Sequence, residues 1–130
     1  ALHSTVGRKK AEVMEERIKD INPEAVVKAS SEMLTADNID AFRLNEYDYI
    51  VDTIDEIPAK LLLIQTANQL KVPIISSMSM GNKFDPELLK IDDIRKAGVC
   101  PMGKIIRKET TQMGIKQLKA IFSTEEPHRE

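Results

Sequence analysis

Tyr49-Ile50-Val51-Asp52-Thr53-Ile54-Asp55 decides how this chain folds. Its first half is a compact β-branched and aromatic run, the composition of a strand buried inside a sheet. Its second half sets two carboxylates, Asp52 and Asp55, just past that strand. Ile57, Leu61, Ile64 and Ala67 then recur at helical spacing. Pro58 falls near the first turn of that helix, where a missing N–H costs little. Lys71-Val72-Pro73 breaks the helix, and Ile74-Ile75-Ser76-Ser77 reads as the next strand. The connection is long enough for a right-handed parallel crossover. The expected fold class is therefore α/β, with a doubly wound, Rossmann-like, mainly parallel sheet.

Before this unit, Ala11, Met14, Ile18 and Ile21 predict an amphipathic helix over about Val6 to Asp20, stopped by Asn22-Pro23. A short strand is expected at Ala25–Ala29 and a short helix from Thr35 to about Phe42. After it, Leu88–Ile94 reads as a strand with Ile91 inward. Met102, Ile105, Ile106, Glu109 and Met113 mark a third helix, closed by Gly114. Leu118–Phe122 reads as the last strand. Residues 1–122 are expected to form one partial domain, and 123–130 a polar, frayed tail.

The 130 residues are 42% hydrophobic but only 4% aromatic, with no Trp, so Ile, Leu, Val and Met must fill the core. A net charge of -2 points toward neither nucleic acid nor membrane in bulk. One cysteine, Cys100, excludes an internal disulfide and a thiolate zinc site, and suits a reducing, cytoplasmic setting. No apolar run is long enough for a membrane helix, and no secretory h-region opens the chain.

Ligands of parallel α/β sheets bind beyond the carboxyl ends of the strands, where Asp52 and Asp55 stand. One or two carboxylates plus nucleotide phosphates suit Mg²⁺; capping of the following helix is the plainer reading. Lys10, in the first turns of its helix after Gly7, suits a phosphate as a point charge or is ordinary solvated surface. Ser79, Gly81 and Asn82 either admit a ligand close to the backbone or form a turn. Cys100, before Pro101 and a helix, is either a low-pKa thiolate or, the favoured reading, a small packed residue. His3 and His128, near the termini, have no evident catalytic partner. Lys104, Arg107 and Lys108 span one helical turn, a solvated face or an RNA-phosphate contact. No Gly-x-Gly-x-x-Gly and no Walker motif occurs.

Taken in order, these motifs carry a resemblance. Gly7-Arg8-Lys9-Lys10-Ala11-Glu12-Val13-Met14, Arg17-Ile18 and Ile21-Asn22-Pro23 are similar to the segment that follows the first nucleotide-binding motifs of the ubiquitin-activating-like (ThiF/MoeB/HesA) superfamily. Asp52-Thr53-Ile54-Asp55 resembles its Asp-x-x-Asp strand end. Lys60, Gly81-Asn82-Lys83-Phe84-Asp85-Pro86, Cys100-Pro101-Met102, Arg107-Lys108-Glu109 and Phe122-Ser123-Thr124-Glu125-Glu126-Pro127 resemble the branch that dehydrates threonylcarbamoyladenosine in tRNA. The resemblance implies ATP and Mg²⁺ as cofactors, tRNA as substrate, a homodimer, and a sulfur-transfer protein as a further partner. It implies that Lys10 contacts the nucleotide phosphates, that Asp55 associates with Mg²⁺, and that Asp52 supports it. Cys100 stands near the thioester cysteine of protein-activating relatives, and the dehydration has no evident need of it.

The family's Gly-rich loop, ribose-binding acid and Asn/Arg phosphate contacts have no counterpart in these residues. The expectation is a C-terminal part of a longer enzyme, inactive in adenylation by itself and with an exposed sheet edge. A sulfur-carrier adenylyltransferase is the alternative enzyme, disfavoured because its Cys-x-x-Cys pairs are absent. A non-catalytic dimerisation module is the alternative of another class.

Overall fold

The computed structural model describes residues 2–128. Contacts within the chain group it into two compact units, Ala1–Met33 and Leu34–Glu130.

The first unit is built around helix α1, Lys10–Ile21. It starts four residues later than expected because Gly7 takes φ +88° and Lys9 is extended, so the helix nucleates only at Lys10. Ala25–Ala29, expected as a strand, forms none. Extended backbone becomes a strand only when paired, and no strand pairs with it among the described residues.

The second unit holds a four-stranded sheet of β1 (Ile50–Asp52), β2 (Ile74–Ser77), β3 (Leu89–Asp93) and β4 (Lys119–Ser123), in the order β1-β2-β4-β3. β1, β2 and β4 run parallel, and β3 pairs antiparallel with β4. The class is α/β with a mainly parallel sheet, as the strand–helix–strand pattern demands. Helix α2, Ile57–Leu70, joins β1 to β2, and α3, Pro101–Gln112, leads into β4. The short helix expected from Thr35 is a single 3₁₀ turn, Ile39–Phe42, ended by Arg43 at φ 50°.

Ile64 of α2, Ile106 of α3, and Ala120 and Phe122 of β4 share one core with Met78, Ile94 and Leu118. Ile50, Leu63, Ala67 and Val72 form a second, smaller core. The two helices thus cover one face of the sheet. Ile91, expected inward, is 62% exposed. Its register partner is Ile121, on the face opposite Ala120 and Phe122, and neither α2 nor α3 lies there. The residues after β4, expected to fray, are tied down as far as His128. Thr124 N–H donates to the Leu88 carbonyl and His128 N–H to the Asn82 carbonyl.

Candidate functional site

β1 is only three residues long, and its last residue, Asp52, turns beneath α2. The Asp52 side chain is fully buried, and Oδ1 accepts from the Ile54 N–H at 2.9 Å, which bends the chain out of the strand. Oδ2 lies 2.8 Å from the Lys60 ammonium. The angle there is poor for a hydrogen bond, but two opposite charges so close and fully buried form an ion pair. Lys60 itself is 0% exposed. Its Nζ donates to the Ile54 carbonyl at 3.0 Å and to the Ser77 carbonyl at 2.7 Å. The buried charge is therefore paired and further solvated by two backbone dipoles, which such burial requires. Ser76 stands opposite Asp52 in the register, and its buried hydroxyl has no partner among the described residues.

Neither carboxylate caps α2: its N-cap is Glu56, with no side-chain bond. Asp55 projects from the β1–α2 loop, is exposed, and makes no hydrogen bond or ion pair among the described residues. It stands at the carboxyl end of the parallel strands, and the 79–83 segment leaves β2 at that same end. An exposed, unpaired carboxylate there fits a Mg²⁺ ion whose remaining ligands are phosphates and water. Among the described residues, no three His, Cys, Asp or Glu side chains gather as an all-protein metal site.

Lys10 is the first residue of α1, in the first unit, and is exposed. Lys104 and Lys108 are exposed on α3, while half-buried Arg107 reaches back to the Arg95 carbonyl at 3.4 Å. Cys100 is 0% exposed, and its Sγ accepts from Gly103 N–H at the start of α3. The packed reading of this thiol holds.

The sequence reading missed how the Gly81–Pro86 loop is held. Glu125 Oε2 accepts from the Phe84 and Asp85 N–H groups, and Glu125 Oε1 meets His128 Nε2 at 2.7 Å. The Asp85 N–H, chief among these partners, and the His128 ring hold the Glu125 carboxyl below its ordinary range, against partial desolvation. The His128 ring packs at 4.9 Å against Phe84. A hollow of about 330 Å³ beside this loop is lined by Met80, Lys83 and Phe84 among others. A slightly larger one, about 360 Å³, lies at the opposite end of the strands, against Ile74 and Lys119. That end is the wrong one for ligands in parallel α/β sheets.

Residues 1–116 match the ThiF family model. The chain is 39% identical over 128 residues to the tRNA threonylcarbamoyladenosine dehydratase of Bacillus subtilis, covering 98% of this chain and 50% of that protein. It is 34% identical to the enzyme of that name from Escherichia coli, over 83% of this chain and 40% of the relative. The chain thus spans half or less of these curated relatives. The crystal structure of E. coli TcdA in complex with AMP matches at TM-score 0.90 and 30% identity, over all of this chain and 56% of that one. The same enzyme in complex with ATP matches at 0.89 and 31%, over 98% of this chain and 56% of that one. The chain belongs to the ThiF family and is a partial-length relative of the tRNA threonylcarbamoyladenosine dehydratases.

Proposed function

We propose that this chain is part of an ATP-dependent tRNA threonylcarbamoyladenosine dehydratase. The observation that carries the reading is the 39% identity along 98% of the chain, with Asp55 exposed at the carboxyl end of a parallel strand. In this reaction the carboxylate of the modified nucleoside attacks the α-phosphate of ATP, the bond to the β-phosphate breaks, and pyrophosphate leaves. The acyl adenylate is then attacked by a nucleophile of the same nucleoside, a ring closes and AMP leaves. The sum is loss of water driven by ATP.

Asp55 would hold Mg²⁺, which when bound neutralises phosphate charge. The Lys10 ammonium would pair with phosphate oxygens and stabilise charge that grows during transfer. Asp52 supports Asp55 by bending the chain between them. Lys104, Arg107 and Lys108 would meet RNA phosphates, as cations on one helix turn can. The enzyme would be a cytoplasmic homodimer, as the family resemblance implies.

The test supplies the full-length protein with ATP and either threonylcarbamoyladenosine-modified tRNA or a sulfur-carrier protein. AMP release is expected with the tRNA, and release with the carrier alone overturns the reading. Asp55→Ala and Lys10→Ala should each abolish AMP release with folding retained. Unchanged activity removes that residue from the site.

A further inference from the structure

We propose that Lys60 is a positioning residue, a buried clip that fixes the exit of β1 to the exit of β2. One ammonium nitrogen touches the Asp52 carboxylate, the Ile54 carbonyl and the Ser77 carbonyl, all within 3.0 Å. Ile54 directly precedes Asp55, and Ser77 ends β2 just before the Ser79–Lys83 loop. The three contacts therefore join the two backbone segments that leave the carboxyl ends of β1 and β2.

Three features set this apart from a charge buried by chance. Lys60 falls inside the apolar stripe of α2, between Ile57 and Ile64, where a methionine would pack as well without needing a partner. Two of its three contacts are backbone carbonyls from different segments, so the ammonium ties chain to chain and not merely side chain to side chain. Buried ion pairs add little net stability over apolar replacements, so stability alone does not account for a lysine here. Asp52 has two separate tasks in this arrangement. Oδ2 holds the Lys60 charge, and Oδ1 shapes the turn toward Asp55. Lys60 reaches no solvent, so it acts on any ligand only through the segments it joins.

The effect on catalysis rests on the reading that Asp55 serves the site; the clip itself is tested without that reading. The test uses the full-length protein and the double variant Lys60→Met/Asp52→Asn, which removes both charges and leaves an oxygen to accept from Ile54. Amide exchange is followed at Ile54 N–H and at Met78 N–H, which donates to the Ile121 carbonyl. Both should exchange roughly tenfold faster, while core amides of α3 stay unchanged. Adenylation kcat should fall about 100-fold with KM for ATP nearly constant, because misplacement by about an ångström has that consequence.

Unchanged exchange at both amides overturns the clip whatever the activity. Faster exchange with unchanged kcat overturns the positioning role. If the double variant does not fold, the unsubstituted protein decides: both amides must be as protected as the α3 core, and rapid exchange there overturns the proposal. A wild-type protein that releases no AMP with modified tRNA overturns the proposed reaction and leaves the clip standing on its exchange result.

Discussion

Glu125 accepts the Asp85 backbone N–H at 2.8 Å, closing a loop of forty residues with one carboxylate. The same carboxylate takes the Phe84 N–H and the His128 ring nitrogen, so the segment after β4 and the loop after β2 are one hydrogen-bonded body. Its acidity follows. The Asp85 N–H, and less strongly His128 and the Phe84 N–H, favour the ionised form and hold the Glu125 carboxyl below its ordinary value of 4.5. A lowered folded value means that the stabilisation is complete above pH 4.5 and is lost as pH falls through the folded value. Acid titration followed by NMR should therefore show the Phe84 and Asp85 amides moving together, below the pH at which free glutamate protonates. Glu125→Gln should loosen the same two amides at neutral pH. Amides that titrate at the ordinary glutamate value would contradict the strap.

Lys71 ends α2 in the left-handed region, at φ 57° and ψ 35°, with its N–H shared between the Ala67 and Asn68 carbonyls. The cap geometry is the one glycine adopts freely, whereas a Cβ there is strained. Lys71 is exposed, so its side chain contributes little packing. Lys71→Gly should stabilise the protein by about 0.5–1 kcal/mol, read as a higher urea midpoint with unchanged slope. A lower midpoint would mean that the lysine makes a compensating contact.

Gly103 shows the reverse case, a glycine whose lack of a side chain is needed. A Cβ there would sit 3.0 Å from the Ala97 Cβ and 3.2 Å from the Cys100 Cβ. Both neighbours are buried and move only with their backbone. Helix propensity favours alanine by about 1 kcal/mol, and overpacking costs about 1–3 kcal/mol. Gly103→Ala should thus destabilise by about 1 kcal/mol, visible as a lower melting temperature. No change would show that the turn before α3 gives way easily.

The strands and helices around Asp52 were legible because each obeyed a local rule. Ile50–Asp52, α2 with Pro58 at its start, and Ile74–Ser77 needed only periodicity and breakers to be found. Val26 and Ile91 misled for a shared reason: their β-branched character marks strand propensity but not pairing or facing, which are tertiary properties. In the candidate site, the position of Asp55 past the end of β1 was legible. Lys60 gave a signal that composition alone obscures: a lysine inside the stripe Ile57, Leu61, Ile64 must either snorkel or find a buried anion, and Asp52 stands eight residues before it. The Glu125 strap had no such signal, since a partner forty residues away leaves no trace in spacing.

The Asp52–Lys60 pair also makes a thermodynamic prediction separate from its positioning role. Each side chain is fully buried, so removing one leaves the other without its counter-charge. Lys60→Met alone should destabilise by about 3–5 kcal/mol. Asp52→Asn alone should cost less, because the ammonium keeps the Ile54 and Ser77 carbonyls. The double variant should recover most of the loss, since two neutral groups of similar volume need no counter-charge. Urea denaturation of the four proteins gives the coupling directly. Additive losses would mean that the two charges do not depend on each other, and the close approach of Lys60 Nζ to Asp52 Oδ2 would then be geometry without energy. A coupling of several kcal/mol would instead make Asp52 first the counter-ion of Lys60, and leave Asp55 as the carboxylate free to serve a ligand.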